Sequence, residues 1–172
     1  MSEKMHLLIL LKGTDNWNAW RRKEPIVRPD LSGAFLENAD LQSIDFSRTY
    51  LCGATLNGTN LRRANLSQAV LRGARVNNAN LVEADLSKSD LCGAVFRKSN
   101  LIEANLSGVD MRGADLESSR LAKANLRAAD LRGANLKKAV LEGANLHNAD
   151  LRGADLTQST YKDTDLVHAK LG

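Results

Sequence analysis

The sequence predicts an all-β chain wound into a four-sided solenoid, and three observations predict it. Every position whose number ends in 1 or 6, from Leu31 to Leu171, is apolar or aromatic; these 29 residues are Leu except Phe46, Val76, Phe96, Met111 and Tyr161. Two residues before each of them, from 34 to 169, Ala fills 19 of 28 positions and the rest are mostly small. Two residues after them, Gly stands at 33, 53, 73, 93, 113, 133 and 153, a strict spacing of 20.

A period of five matches neither the 3.6 residues of a helix turn nor the two of a flat strand. A chain that keeps one Leu and one Ala inward every five residues must turn a corner every five residues, and four such segments close a square of 20. The glycine spacing gives the same 20 independently. It marks one side, beginning at Leu31, as the place where a type II turn needs a residue at positive φ. The other three sides begin at Leu36, Leu41 and Phe46. About seven coils follow, stacked at about 4.8 Å into a rod on the order of 34 Å long. The glycine side contributes Leu31, Leu51, Leu71, Leu91, Met111, Leu131 and Leu151 to the core. Each coil bonds to its neighbours, so stability is a sum of nearest-neighbour terms.

The first 28 residues are out of phase and hold both tryptophans. They are read as a helical cap (1–28) on a solenoid (29–172). Asp15 or Thr14 would cap a short helix running to about Lys23, ended by Pro25. Trp17 and Trp20 would share a face of it and lie over the first coil beside Leu31 and Leu36, with Leu7 to Leu11 packed there too. Leu7–Leu11 is too short to span a membrane. It lacks a small-residue cleavage site and runs straight into Lys12-Gly13-Thr14-Asp15, so no signal peptide is expected. The expectation is a soluble, cytoplasmic protein. At the other end the repeat continues to Leu171, and Tyr161 and Leu166 have no further coil above them. That end is expected to fray or to pair with a second subunit.

The pattern Ala-(Asp/Asn)-Leu, as in Ala84-Asp85-Leu86, Ala104-Asn105-Leu106 and Ala124-Asn125-Leu126, resembles the pentapeptide-repeat family over about four-fifths of the chain. The segment Gly13 to Arg21, with Trp17-Asn18-Ala19-Trp20-Arg21, resembles the N-terminal segment of many cyanobacterial members. The resemblance implies a right-handed quadrilateral β-helix and end-to-end dimerisation through the C-terminal coil. It also implies two functional classes: a scaffold that binds other proteins, and an acidic DNA mimic that protects gyrase or another topoisomerase from quinolones.

Charge discriminates between these. The net charge is only +4. From residue 31 onward the four sides hold five basic and four acidic, five and four, five and five, and three and three residues. A DNA mimic needs an acidic side and strong nucleic-acid binding needs uncompensated Lys and Arg; neither is present. Arg72, Arg112, Arg132 and Arg152 stack on the glycine side as a candidate interaction face. Asp90, Asp110, Asp130 and Asp150 form a parallel ladder expected to neutralise them. Cys52 and Cys92 occupy matching sites two coils apart, about 9.6 Å, beyond the roughly 7 Å reach of a disulfide. His147 and His168, with Asp165 nearby, approach each other on the fourth side, but zinc wants three or four committed ligands. Ser47, Ser67, Ser87 and Ser107 have no base beside them, and the Asn and Asp residues of that side are expected to bond backbone at the corners. No nucleophile–base pair, phosphate loop or cofactor motif appears. The sequence therefore reads as a non-enzymatic scaffold for an unknown protein partner, without cofactor, metal, nucleic acid or membrane.

Overall fold

Repetition of one local structure builds the molecule. In the computed structural model, which describes residues 3–172, a bridge residue recurs at every fifth position and pairs in parallel with the residue twenty further on, from Asp30–Tyr50 to Asp150–Lys170. The coil therefore has four segments per turn. Each central residue up to Leu151 donates its N–H to the next coil (Leu51 to Val70 O, 2.7 Å), and each bridge residue from Tyr50 donates to the coil before (Thr55 to Ala34 O, 2.9 Å). Between bridges the chain makes a β-turn closed by a bond such as Ala54 N–H to Leu51 O, 3.1 Å.

The core is a stack of the periodic positions. Leu31, Leu51, Leu71, Leu91, Met111, Leu131 and Leu151 are all buried, and the small residues between the corners are buried with them. Where a hydroxyl replaces Ala, it finds a carbonyl at most sites, although the buried Ser119 Oγ has no partner: Thr59 Oγ1 donates to Leu36 O at 3.0 Å and Ser89 Oγ to Leu86 O at 2.6 Å. Ser99 Oγ goes further, donating to Val76 O and accepting from Ala79 N–H of the preceding coil.

The glycine side is not geometrically special, which corrects the sequence reading. The third residue of every turn from Gly33 to His168 has positive φ, including Asn38, Lys88, Glu103 and Ala128 at 55–58°. All four sides use the same turn, and only one supplies Gly for it in every coil. Space does not demand Gly on that side either: a Cβ at Gly53, Gly73, Gly93 or Gly113 would meet nothing within 4 Å. Gly58, off that side, is the crowded one, where a Cβ would lie 2.2 Å from Asn38 Oδ1.

Two helices precede the coil: α1 (Glu3–Leu10) and α2 (Thr14–Lys23). Met1 and Ser2, the start of the expected cap, lie outside the described residues. The second helix ends where expected, but Gly13 rather than Thr14 or Asp15 occupies its N-cap, and no side chain caps it. Gly13 has φ of 98°, a conformation that Thr or Asp would adopt only with strain, so the helix begins one residue early. No described helix is long and apolar enough to cross a membrane.

Candidate functional site

The two places where chemistry-bearing side chains gather are the edge under the cap and the charged row on the first side. The edge comes first, because the first coil has no predecessor and must find other partners for its backbone. The cap supplies them on two sides. His6 Nδ1 accepts the Asp30 N–H at 3.1 Å, and Asn18 Oδ1 accepts the Asp45 N–H at 2.8 Å. Trp17 Nε1 donates to Asp45 O at 2.7 Å and Asn18 Nδ2 to Ser43 O at 3.0 Å. Arg21 donates to Val27 O at 2.8 Å and Ser47 O at 2.9 Å. These side chains stand in for a missing coil.

Trp17 is completely buried, edge-on to Phe46 with ring centroids 5.4 Å apart, and Trp20 lies 5.2 Å from it, half-buried. The tryptophans thus seat at the Phe46 corner. Leu7 of the first helix and Leu11 just past its end border Leu31. His6, Asn18 and Arg21 were missed by sequence reasoning. A signal for His6 exists, since it falls on the same arc of its helix as Ile9 and Leu10, a polar residue on a buried arc.

Burial pushes the His6 imidazole below its ordinary value of 6.5; Arg21 acts in the same direction and the Asp30 carboxylate opposes it. Protonation would also put a second donor against the Asp30 N–H. The unfolded chain takes up this proton near pH 6.5 and the folded chain only at lower pH. Stability is therefore full above 6.5, falls as pH drops through that value, and levels off once the folded imidazole is protonated as well. We expect the melting temperature to fall across this window and the His6→Asn variant, which keeps an acceptor, to lose that part of the slope.

The charged row closes on itself. Arg112 grips Asp110 in a bidentate pair at 2.9 and 2.7 Å, and Arg132–Asp130 and Arg152–Asp150 repeat that geometry. Arg72 instead reaches up one coil to Asp90 at 2.6 Å. The Arg152 hydrogen bond holds the Asp150 carboxyl at about 2, below the usual carboxylate range. Corner Asn and Asp residues bond as expected: Asn65 Oδ1 accepts the Ser67 N–H at 3.1 Å, and its Nδ2 donates to Asp45 Oδ1 of the coil before at 3.2 Å.

Cys52 and Cys92 are free thiols, half-buried. The rings of His147 and His168 come within 5.6 Å, and His147 Nδ1 lies 4.0 Å from Asp165 Oδ2. Among the described residues no cluster of three or more His, Cys, Asp or Glu is arranged to hold a metal ion.

Comparison with known proteins agrees with this geometry. A family model described as pentapeptide repeats matches in eight copies, over residues 28–58, 44–81, 79–117 and 119–158. Among solved structures, the pentapeptide repeat protein Rfr23 from the cyanobacterium Cyanothece 51142 is similar at 25% identity and TM-score 0.57, covering 89% of this chain and 99% of that one. A trypsin-treated form of QnrB1, described as a plasmid-mediated fluoroquinolone resistance protein, has TM-score 0.51 and 21% identity over 84% of this chain and 75% of its own; that likeness is one of fold alone. No curated protein sequence matches the chain.

Proposed function

We propose, from the premise that the chain belongs to the pentapeptide-repeat family, that residues 29–172 are a non-enzymatic scaffold presenting its flat sides to another protein, with residues 1–28 as its cap. Members of the family fold as right-handed quadrilateral β-helices and act through interactions. The observation that carries the reading here is the row of Arg112, Arg132 and Arg152. Each guanidinium is fixed by its own aspartate in one repeated geometry, yet each arginine side chain remains 44–52% exposed. A row of positioned donors at the inter-coil spacing is preorganised for a partner, whose binding then orders few side chains.

Affinity capture from the source organism tests this, using wild type and the triple variant Arg112→Ala, Arg132→Ala, Arg152→Ala. We expect a partner that the variant no longer retains. The variant's melting temperature should hardly move, since exposed pairs contribute about 0–1 kcal/mol each. A partner retained equally by both would sink the assignment of the face.

The gyrase-protecting alternative needs an acidic side, and the closed Arg–Asp pairs weigh against one. Quinolone protection in a supercoiling assay at stoichiometric protein would reverse the ranking. A homodimer through the last coil belongs to the same proposal. Tyr161 and Leu171 there are more than half exposed, around an apolar hollow floored by Leu141, Leu146 and Leu151. Sedimentation velocity decides it: a species of twice the chain mass supports the dimer, and a monomer at all concentrations rejects it.

A further inference from the structure

The two cap helices grip the coil unequally. Among the described residues one hydrogen bond ties α1 to it, from the Asp30 N–H to His6 Nδ1 at 3.1 Å. Trp17, Asn18 and Arg21 tie α2 to Ser43, Asp45 and Ser47. Apart from its one bond, α1 is held by apolar contact: Leu10 is buried, and Leu7 and Ile9 pack partly buried against the core. The helices meet at Leu11-Lys12-Gly13, where Gly13, at φ of 98° with open space where a Cβ would stand, offers a hinge.

His6 is 3% exposed. Because Nδ1 accepts the Asp30 N–H, the neutral ring carries its hydrogen on Nε2, which is buried and has no partner among the described residues. A second proton must go on Nδ1, turning that acceptor into a donor that faces another donor. Among the described residues, two charged groups face the ring. The Asp30 carboxylate of the first coil favours the imidazolium, although its Oδ1 already accepts the Ser32 N–H at 2.9 Å. Arg21 of α2 opposes it, and burial, the largest influence, opposes it too. Trp20 of α2 closes the site with its ring centroid 5.4 Å from the imidazole.

We propose that His6 is a proton-operated latch: on acidification α1 swings off the coil about Gly13 while α2 stays seated, opening the edge at Asp30 and Leu31. Release takes up a proton, because the docked imidazole is held below the ordinary 6.5. The open form therefore gains on the closed one as pH falls below 6.5, by up to about tenfold per pH unit, and the gain levels off once the docked ring is protonated as well. What opens is a free N–H donor beside an apolar side chain, the combination to which a further strand adds. The Asp45 corner stays closed, since none of the α2 contacts passes through a histidine. The other two histidines, His147 and His168, lie in the last two coils at the far end of the rod. The latch is independent of the arginine row and goes beyond the scaffold reading.

Residue-resolved amide hydrogen exchange on the full chain tests this, with each rate corrected for the intrinsic effect of pH on exchange. From about pH 7.5 to about pH 5 the Asp30 amide should lose protection, while the Asp45 amide, held by Asn18 Oδ1, keeps its own. His6→Asn puts an amide oxygen where Nδ1 stood and takes up no proton, so its Asp30 protection should not change with pH. Asp30→Asn keeps the N–H but removes the carboxylate that favours the imidazolium, so its loss of protection should begin at the same pH and run deeper. Should Asn at position 6 fail to seat the helix, leaving Asp30 unprotected even at about pH 7.5, the Asp30→Asn comparison decides alone. Asp30 protection unmoved by pH, a loss that persists in His6→Asn, or Asp30→Asn behaving as wild type would overturn the latch. Joint loss at Asp30 and Asp45 would overturn it too, by showing that the cap leaves as one piece.

Discussion

Leu106→Asp should leave no cooperatively folded rod. Leu106 is fully buried near the middle of the solenoid, with Leu86 one coil before it and Leu126 one coil after. Its own N–H bonds Asn125 O at 2.7 Å and Asn105 N–H bonds Ala84 O at 2.9 Å, so the backbone there cannot swing the side chain out without breaking two coil junctions. Among the described residues of the solenoid no Lys or Arg is buried to meet a carboxylate. An unpaired buried charge costs several kcal/mol, on top of about 2–5 kcal/mol for the lost Leu. A whole domain is stable by only about 5–15 kcal/mol. Because each coil touches only its neighbours, the lesion either unfolds the chain or divides the melt into coils before and after it. Circular dichroism and a urea titration read this directly. Leu106→Met, which conserves volume, should cost less than about 1.5 kcal/mol, and an aspartate variant melting like wild type would refute the packing described for the core.

The contrast between those two variants shows why the repeat was legible and other features were not. Position 106 is one of 29 equivalent sites, and burial at one implies burial at nearly all of them. Periodicity carries that information because a coil with a slipped register would put Leu outside and Asp inside. The turn geometry was less legible. Lys88 and Glu103 share the positive φ of Gly53 and Gly93, but nothing in a Lys or Glu announces a left-handed backbone. Glycine spacing therefore reported where that backbone is least strained rather than where it occurs.

The cap lay furthest from the sequence. Its tryptophans were conspicuous, but their seat depends on which first-coil groups lack partners, and that is known only once the edge has been built. Asn18 and Arg21 are ordinary residues until the first coil sets the Asp45 N–H and Ser47 O opposite them. The charged row was half legible. The ladders of Arg and Asp could be counted, but not that Arg112 takes the aspartate of its own coil while Arg72 takes that of the next.

Trp17→Ala should detach the cap and leave most of the solenoid standing. The indole is fully buried, packed on Phe46 and Trp20, and its Nε1–H satisfies Asp45 O at 2.7 Å. Its removal costs about 3–5 kcal/mol in packing, and the Asp45 carbonyl left without its donor adds about 1–3 kcal/mol. Arg21 worsens the balance. Its buried guanidinium is held by Val27 O and Ser47 O and lies beside Trp20, so water admitted at Trp17 loosens it as well. The two helices touch the coil only along its first edge and cannot offset such a loss. Coils beyond the second bond only to coils and do not depend on the cap. The expected record is a red shift of Trp20 fluorescence at a denaturant concentration well below the main β transition, where wild type shows one coincident transition. Trp17→Phe, which keeps a ring against Phe46 but not the N–H, should fall between the two. A single transition with an unmoved midpoint in Trp17→Ala would mean that the cap does not seal the edge. Once uncapped, the Asp30 and Asp45 N–H groups become free strand-edge donors, so the same variant should also associate with itself as its concentration is raised.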